Sequence, residues 1–468
     1  MNLTNLFYKL PTPFKNIATS IIAYKNNKVR KGEFFDKYLI FFRKSWAYTP
    51  SEIEKLQKQL LQNLLLECSQ YTVYYKKVFD DCQITLADIE NANPFELLNK
   101  IPFLEKTTLK EKLAELENTN PIRKRDYINF TSGTTGTPTK VYYDKESMQL
   151  SFALWRRFHD TLGLPEKFKS IRLSGRIFLK PNVDAPPYWI YNMVDQQLFM
   201  SSYHLSEDKI PDYVKKVSQF KPQLIDGYPS AIYILAKFIN ANNINLGFSP
   251  KGIATTAETL FPHQRIEIEK AFGCRVYNQY ASSEGGSFIT ECKDGRYHLN
   301  TDSGIFEFIN LQGETAKPGE YAELIITSFR NLKTPLIRYR SKDMVVLEDN
   351  DTPCTCGCSM PCIKDIIGRE DDILYTKDRG FVGRMDTAYK GLSGIEKSQI
   401  VQNSADQIDI YQVVTKEYTP QMEKKFMDNL RERLGTVVDI KIHAVDDIPL
   451  SKNGKFKAVM RNFKMDNV

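Results

Sequence analysis

Ile53, Leu56, Leu60, Leu64 and Leu65 recur at helical spacing through PSEIEKLQKQLLQNLLLECSQ. That spacing predicts an amphipathic helix whose apolar stripe packs into a core. Ser51 and Glu54 read as a capping-box pair opening it. FLEKTTLKEKLAELE predicts another short helix, and KVYYD a short strand. Strand-like and helix-like runs then alternate. SIRLSG leads into the Pro-rich LKPNVDAPPYW, and PDYVKKVSQF is followed by QLIDGYPS and the apolar helix AIYILAKFI. GIATTAE, PHQRIEIEKAFG and RVYNQYASSEGG continue the alternation. This pattern argues for an α/β unit with much parallel sheet. From IFEFINLQG through YAELIITSF to MVVLEDN the helices stop, and hairpins in an antiparallel sheet are expected. Beyond IIGREDD, the runs QIDIYQVVT, QMEKKFMDNLRERLG and VDIKIHAV predict strand, helix and strand, a compact α+β unit of normal small-domain size.

The length of 468 residues allows two or more domains. A net charge of +7 with both signs mixed suits an anionic ligand. With no long basic run, it argues against nucleic acid as partner. No stretch is long and apolar enough for a transmembrane helix. The basic, partly apolar N-terminal arm is broken by Lys9, Pro11, Pro13 and Lys15. It reads as packed on its own domain rather than as a signal peptide or a membrane-surface helix. Half of the eight cysteines fall between Cys354 and Cys362. That bunching fits a reduced, cytoplasmic chain with a metal site better than a secreted disulfide framework.

The stretch NFTSGTTGTPTK is too polar for a core. Taken alone it is either a surface turn or a loop whose N–H and O–H groups converge on phosphate oxygens. It matches neither a Walker A loop nor a dinucleotide fingerprint. FTSGTTGTPTK resembles instead the phosphate-binding motif of the adenylate-forming superfamily, which includes acyl-CoA synthetases and luciferases. The superfamily's other motifs have counterparts in order: TTAETL, YNQYASSEGG, LIRYRSKD, IIGREDD and SKNGKF. IPFLEKTTLKEKL, IDGYPSAIYILAKF, PLIRYR and CTCG are similar to the phenylacetate–CoA ligase branch with its CapK-type relatives.

The resemblance implies a large AMP-binding domain over 1–369 and a small mobile α+β domain over 370–468. It implies ATP-dependent adenylation of a small carboxylic acid with Mg²⁺, then transfer to an acceptor. CoA is the first expectation; an amine, a sugar or a carrier-protein thiol is the alternative. A homodimer is left open. Thr131, Ser132, Gly133, Thr134, Thr135, Gly136, Thr137 and Lys140 would hold the phosphates. Ala257, Glu258, Asn278, Gln279, Tyr280, Ser283 and Asp343 would surround adenine, ribose and the α-phosphate. Glu284 would bind Mg²⁺, and Arg369 would contact ribose or phosphate. Glu370 and Asp371 would form the hinge, and Lys455 would bring the catalytic charge. Lys342 stands where the superfamily has Gly, and so does Ala281. The acyl pocket is expected from Tyr188, Trp189, Tyr191, Tyr203, His204, Asp226, Tyr228 and Ala281. Cys292, His298, Cys354 and Cys356 suit a closed zinc site, as in some members of the branch. A local set that includes Cys358 and Cys362 is the rival.

Overall fold

The computed structural model describes residues 7–130, 139–180, 183–310, 312–369, 373–377, 380–382, 385–389, 392, 394–450 and 456–463. Helices come first: α1 (Thr12–Arg30), α2 (Glu33–Ser45) and α3 (Pro50–Tyr71), then short helices between 73 and 116. The α3 capping box is Thr49 with Glu52, two residues ahead of the pair expected from sequence. Pro50 needs no N–H partner and takes the first helical position, which makes Thr49 the cap. Helix α1 lies on the sheet edge. Asn16 Oδ1 accepts from the Tyr191 N–H at 2.8 Å, and Ser20 Oγ accepts from the Met193 N–H at 3.0 Å. No described helix is long and apolar enough to cross a membrane.

A two-stranded antiparallel hairpin, β1 (Tyr127–Phe130) and β2 (Lys140–Tyr143), precedes helix α4 (Lys145–Thr161). The following strands are β3 (Ser170–Ser174), β4 (Trp189–Asn192), β5 (Gln197–Ser201), β6 (Leu224–Gly227), β7 (Gly252–Thr256) and β8 (Val276–Ala281). Then come β9 (Phe288–Glu291), β10 (Tyr297–Leu299), β11 (Gly304–Asn310), β12 (Tyr321–Ser328), β13 (Tyr339–Leu347) and β14 (Cys362–Arg369). These twelve strands form one sheet in the order β11-β12-β13-β14-β10-β9-β8-β7-β6-β3-β5-β4. Strands β5, β3, β6, β7 and β8 are mutually parallel, and the β11–β14 end is antiparallel.

Helices α5 (Ile210–Phe220), α6 (Pro229–Ala241) and α7 (Pro262–Phe272) cover one face of the parallel part. Ile171, Leu173, Ile225, Ile253 and Val276 point there. Helices α2 and α4 cover the other face, packing Phe42, Leu154 and Phe158 onto Ala254 and Phe288. Beyond β14 come β15 (Leu374–Thr376), β16 (Gly380–Val382), β17 (Ile395–Ser404), β18 (Gln407–Val414), helix α8 (Pro420–Leu434), β19 (Asp439–Ala444) and β20 (Val459–Arg461). Strands β17–β20 form a separate sheet in the order β19-β18-β17-β20. It has its own core, in which Ile400, Ile408 and Ile410 pack on Phe426 and Leu430 of α8.

Candidate active site

Parallel strands present their carboxyl ends, with their irregular backbone, at one sheet edge, where α/β folds bind ligands. Here the ends of β3, β6, β7 and β8 share that edge. Beyond β7, Ala257 adopts φ +68°, a left-handed conformation costly for a non-glycine residue. The next carboxylate, Glu258, accepts the Ser230 N–H at 3.2 Å on Oε2 and the Phe456 N–H at 3.0 Å on Oε1. The second contact joins the β17–β20 unit to the large sheet.

Strand β8 supplies the next group. Asn278 is buried, with its Oδ1 accepting from Thr255 Oγ1 at 3.0 Å. Gln279 Oε1 accepts from Thr256 Oγ1 at 2.9 Å, while its buried Nε2 has no acceptor. An orphaned buried donor is costly, and at this edge it is a hydrogen bond left to offer an acceptor. Tyr280 donates its hydroxyl to Asp343 Oδ2 at 2.5 Å, which brings the expected adenine platform and ribose carboxylate together. Asp343 pairs with Arg369 across β13 and β14. Lys342, in the glycine position, takes φ +61°, so the local turn is the one glycine would make.

The hairpin β1–β2 folds over the end of β8. Asn129 Nδ2 and the Tyr143 hydroxyl both donate to the Ser283 carbonyl, at 2.9 and 3.1 Å. Burial pushes the Tyr143 phenol well above its usual pKa, so it stays a donor. Glu284 is buried; the Tyr339 hydroxyl donates to its Oε1 at 3.3 Å and Lys106 Nζ lies 3.8 Å away. A carboxylate at this place offers the hard oxygen that Mg²⁺ prefers. Gly285 has φ +82°, and a Cβ there would lie 2.6 Å from Tyr143 Oη. Lys140 opens β2 and is exposed. The loop residues Thr131, Ser132, Gly133, Thr134, Thr135, Gly136 and Thr137 lie outside the described residues. So do Glu370, Asp371 and Lys455.

The acyl-pocket expectation divides. Arg172, Asp226, Ala254 and Tyr277 form one row across β3, β6, β7 and β8, and Ala281 shares the α4-facing side. Trp189 and Tyr191 pair with Met200 and Leu198 and so face the opposite side. There Trp189 meets Tyr213 edge-on, and the 1%-exposed Tyr188 stacks on the same ring with centroids 5.5 Å apart. Tyr188, Trp189 and Tyr191 are therefore core aromatics. Alternation in β4, invisible without the register, turns Trp189 and Tyr191 to that face. His204 is buried, with Nδ1 bonded to Ser201 Oγ and Nε2 to the Lys180 carbonyl. Tyr203 and Tyr228 stay at the edge. The Tyr203 hydroxyl donates to the Gly175 carbonyl at 3.2 Å, and the Tyr228 hydroxyl bonds to the backbone of Gly175.

Far along the sheet, Cys292, His298, Cys354 and Cys356 bring their ligand atoms within 4.8 Å of one another. Cys292 and Cys354 sulfurs are 3.6 Å apart, and Cys356 Sγ is 3.3 Å from His298 Nε2. The His298 Nδ1–H donates to the Met360 carbonyl at 2.8 Å, leaving Nε2 as a free ligand. Three thiolates and an oriented histidine fit tetrahedral zinc. Cys362 lies beside the committed Nδ1, at 3.4 Å. Hydrogen bonds from His298 and nearby backbone overcome burial and pull the Cys292 thiol down to about 6, toward the thiolate a metal requires.

The chain is 30% identical over 467 residues to Protein CapK of Staphylococcus aureus, covering 99% of this chain and all of that one. It belongs to the CapK-like branch of the adenylate-forming ligases. A family model for the CapK C-terminal domain matches residues 374–462. The phenylacetate-coenzyme A ligase of Thermus thermophilus is 24% identical over 342 residues, 70% of this chain and 72% of that one. The Escherichia coli enzyme of the same name is 25% identical over 337 residues, 70% and 73% of the two chains. A 2-hydroxyisobutyryl-CoA ligase in its postadenylation state superposes with a TM-score of 0.68 at 15% identity, over 90% and 92% of the chains. In its thioesterification state the same enzyme gives 0.53. These likenesses establish the fold, a large mixed α/β sheet with a smaller C-terminal unit. Four residues around this CapK-like site were not singled out from sequence: Lys106, Asn129, Tyr143 and Tyr339. Lys106 stands in the helical FLEKTTLKEKL lead-in, where spacing gives no sign that its amine reaches Glu284.

Proposed function

We propose that this ligase activates a small carboxylic acid with ATP and passes the acyl group to CoA. A carboxylate oxygen attacks the α-phosphorus, the bond to the β-phosphate breaks and pyrophosphate leaves. The acceptor thiolate then attacks the acyl carbonyl and AMP leaves. The convergence of Glu258, Gln279, Tyr280–Asp343 and Ser283–Glu284 at one edge, beneath the hairpin that flanks the polar loop, carries this reading. Tyr280 and Asp343 hold the nucleoside, and the loop donors with Lys140 hold the phosphates. Glu284 would hold Mg²⁺, whose positive charge would offset that of the phosphates. Lys455 brings a cation to the α-phosphate in the first step. The docking of its neighbour Phe456 on Glu258 supports that role. Residues 370–468 act as a mobile domain that rotates about Glu370–Asp371 between the two steps. The Cys292–His298–Cys354–Cys356 cluster would hold a structural zinc ion.

The full-length match to a protein outside the phenylacetate ligases supports a second reading, transfer to an amine, a sugar or a carrier-protein thiol. The isolated enzyme–acyl-adenylate complex separates the two. CoA added to it should accelerate AMP release at least ~10-fold with formation of an acyl thioester. Acceleration by amines, sugars or a carrier protein but not by CoA would establish the second reading. Failure to form any adenylate would overturn both.

A further inference from the structure

On the α4-facing side of the sheet, beside the proposed site, three arginines stand with one close carboxylate among the described residues, Asp226. Arg172 on β3 is neighbour to Phe199 on one side and Asp226 on the other. The Arg176 guanidinium stacks over the Phe199 ring at 4.7 Å, and that of Arg30 over Phe152 at 4.7 Å. Arg172 Nε lies 2.9 Å from Asp226 Oδ1, but at an angle too poor for a hydrogen bond. Among the described residues, no protein acceptor takes a hydrogen bond from any of the three guanidinium groups. Burial holds Arg30 and Arg176 below the usual guanidinium range. Arg172 and Arg176 repel each other, and Asp195 pulls Arg30 the other way. Asp195 is already engaged by the side-chain amides of Asn27 and Asn192. The Arg172 side chain keeps 38% of its surface open, and Arg176 is exposed.

Each guanidinium carries up to five donors. Its planar fork matches carboxylate or phosphate oxygens two at a time. Arg172 shares its cross-strand row with Asp226, Ala254 and Tyr277, on the side of the sheet where Ala281 also lies. A group reaching this row from the end of β8 would be the far end of an acid whose carboxyl group is being adenylated. Asp226 then serves to hold Arg172 in place rather than to greet an amine.

We propose that the acid this ligase activates carries a second anionic group, a carboxylate or a phosphate, which Arg172, Arg176 and Arg30 bind. This rests on the adenylation reading above, and binding and turnover are therefore measured separately. Adipate, pimelate and 6-phosphogluconate are compared with hexanoate, heptanoate and gluconate, their counterparts without the second charge. Equilibrium binding to the full-length protein with ATP present should favour the doubly anionic acids by ~10-fold or more, and pyrophosphate exchange should show the same order. Exposed Arg176 tolerates replacement, so R176Q should remove most of the preference without changing ATP affinity. R172Q/D226N, which keeps the local charge balanced, should do the same. A preference for pimelate or adipate alone assigns the group as carboxylate, and one for 6-phosphogluconate assigns it as phosphate. Equal binding of charged and uncharged tails, or a preference that survives both variants, would overturn the proposal. Selective binding without exchange would leave this subsite standing and count against adenylation.

Discussion

Gly285 sits between the proposed Mg²⁺ ligand and the strand that follows it, and Gly285→Ala tests how tightly that corner is built. Its φ of +82° is left-handed, which costs an L-residue about 1–2 kcal/mol. The added Cβ would stand 2.6 Å from Tyr143 Oη and 2.8 Å from Asn331 Cβ, both inside contact distance. Neither neighbour can yield easily. Tyr143 is buried and its hydroxyl bonds to Ser283; Asn331 is fully buried and its side chain accepts from the Lys333 and Thr334 N–H groups. Overpacking of this kind adds about 1–3 kcal/mol. The total destabilisation is therefore about 2–5 kcal/mol. Gly319 is the internal control, since its φ is +86° but nothing lies within 4 Å of a Cβ there. Gly319→Ala should show only the backbone part, about 1–2 kcal/mol. All three tryptophans, Trp46, Trp155 and Trp189, lie in the large sheet region, so urea unfolding followed by their fluorescence reads that region selectively. The reasoning fails if the two variants differ by less than about 0.5 kcal/mol.

Lys455→Ala should slow adenylate formation roughly 10²–10³-fold while leaving transfer from a chemically made acyl-adenylate nearly intact; Lys457→Ala should change neither step. Equal slowing of both half-reactions by Lys455→Ala would contradict its assignment. Elemental analysis of untagged protein should find close to one zinc per chain, lost in Cys292→Ala/His298→Ala; far less than one in the wild type would remove the metal site. Burial, then Arg156 and Arg172, holds His159 down to about 3, and burial outweighs Glu267 to hold His263 down to about 4. Both are neutral when folded and take up protons when unfolded. Stability should therefore be steady above about pH 6.5 and fall by up to about 1.4 kcal/mol per pH unit per histidine below it. His159→Phe should flatten that fall in a pH series of urea midpoints, and an unchanged slope would refute the contribution.

The strands and helices from SIRLSG to RVYNQY were legible because strand and helix periods differ and each run is bounded by turn residues. The start of α3 was misplaced because two Ser/Thr-x-x-Glu pairs overlap there, and only Pro50 decides between them. Continuity of twelve strands was not legible. It depends on β14 pairing with β10, so that His298 faces Cys362, a long-range match no local pattern announces. The same pairing gathers ligands that the sequence presented as two separate pairs, Cys292 with His298 and Cys354 with Cys356. Motif order singled out Tyr280, Glu284 and Asp343 as candidates, but gave no sign that Tyr280 bonds Asp343, nor of the Lys106 contact to Glu284. Aromatic residues in the Pro-rich stretch misled because composition does not reveal which face of β4 a side chain takes.

The proposed reaction at this edge is formation of an acyl-adenylate. Its most direct test is exchange of labelled pyrophosphate into ATP over a panel of aryl, fatty, amino and dicarboxylic acids. Exchange should require both Mg²⁺ and one class of acid, and should fall sharply in Glu284→Gln. No exchange with any acid, from folded protein that binds ATP, would contradict it.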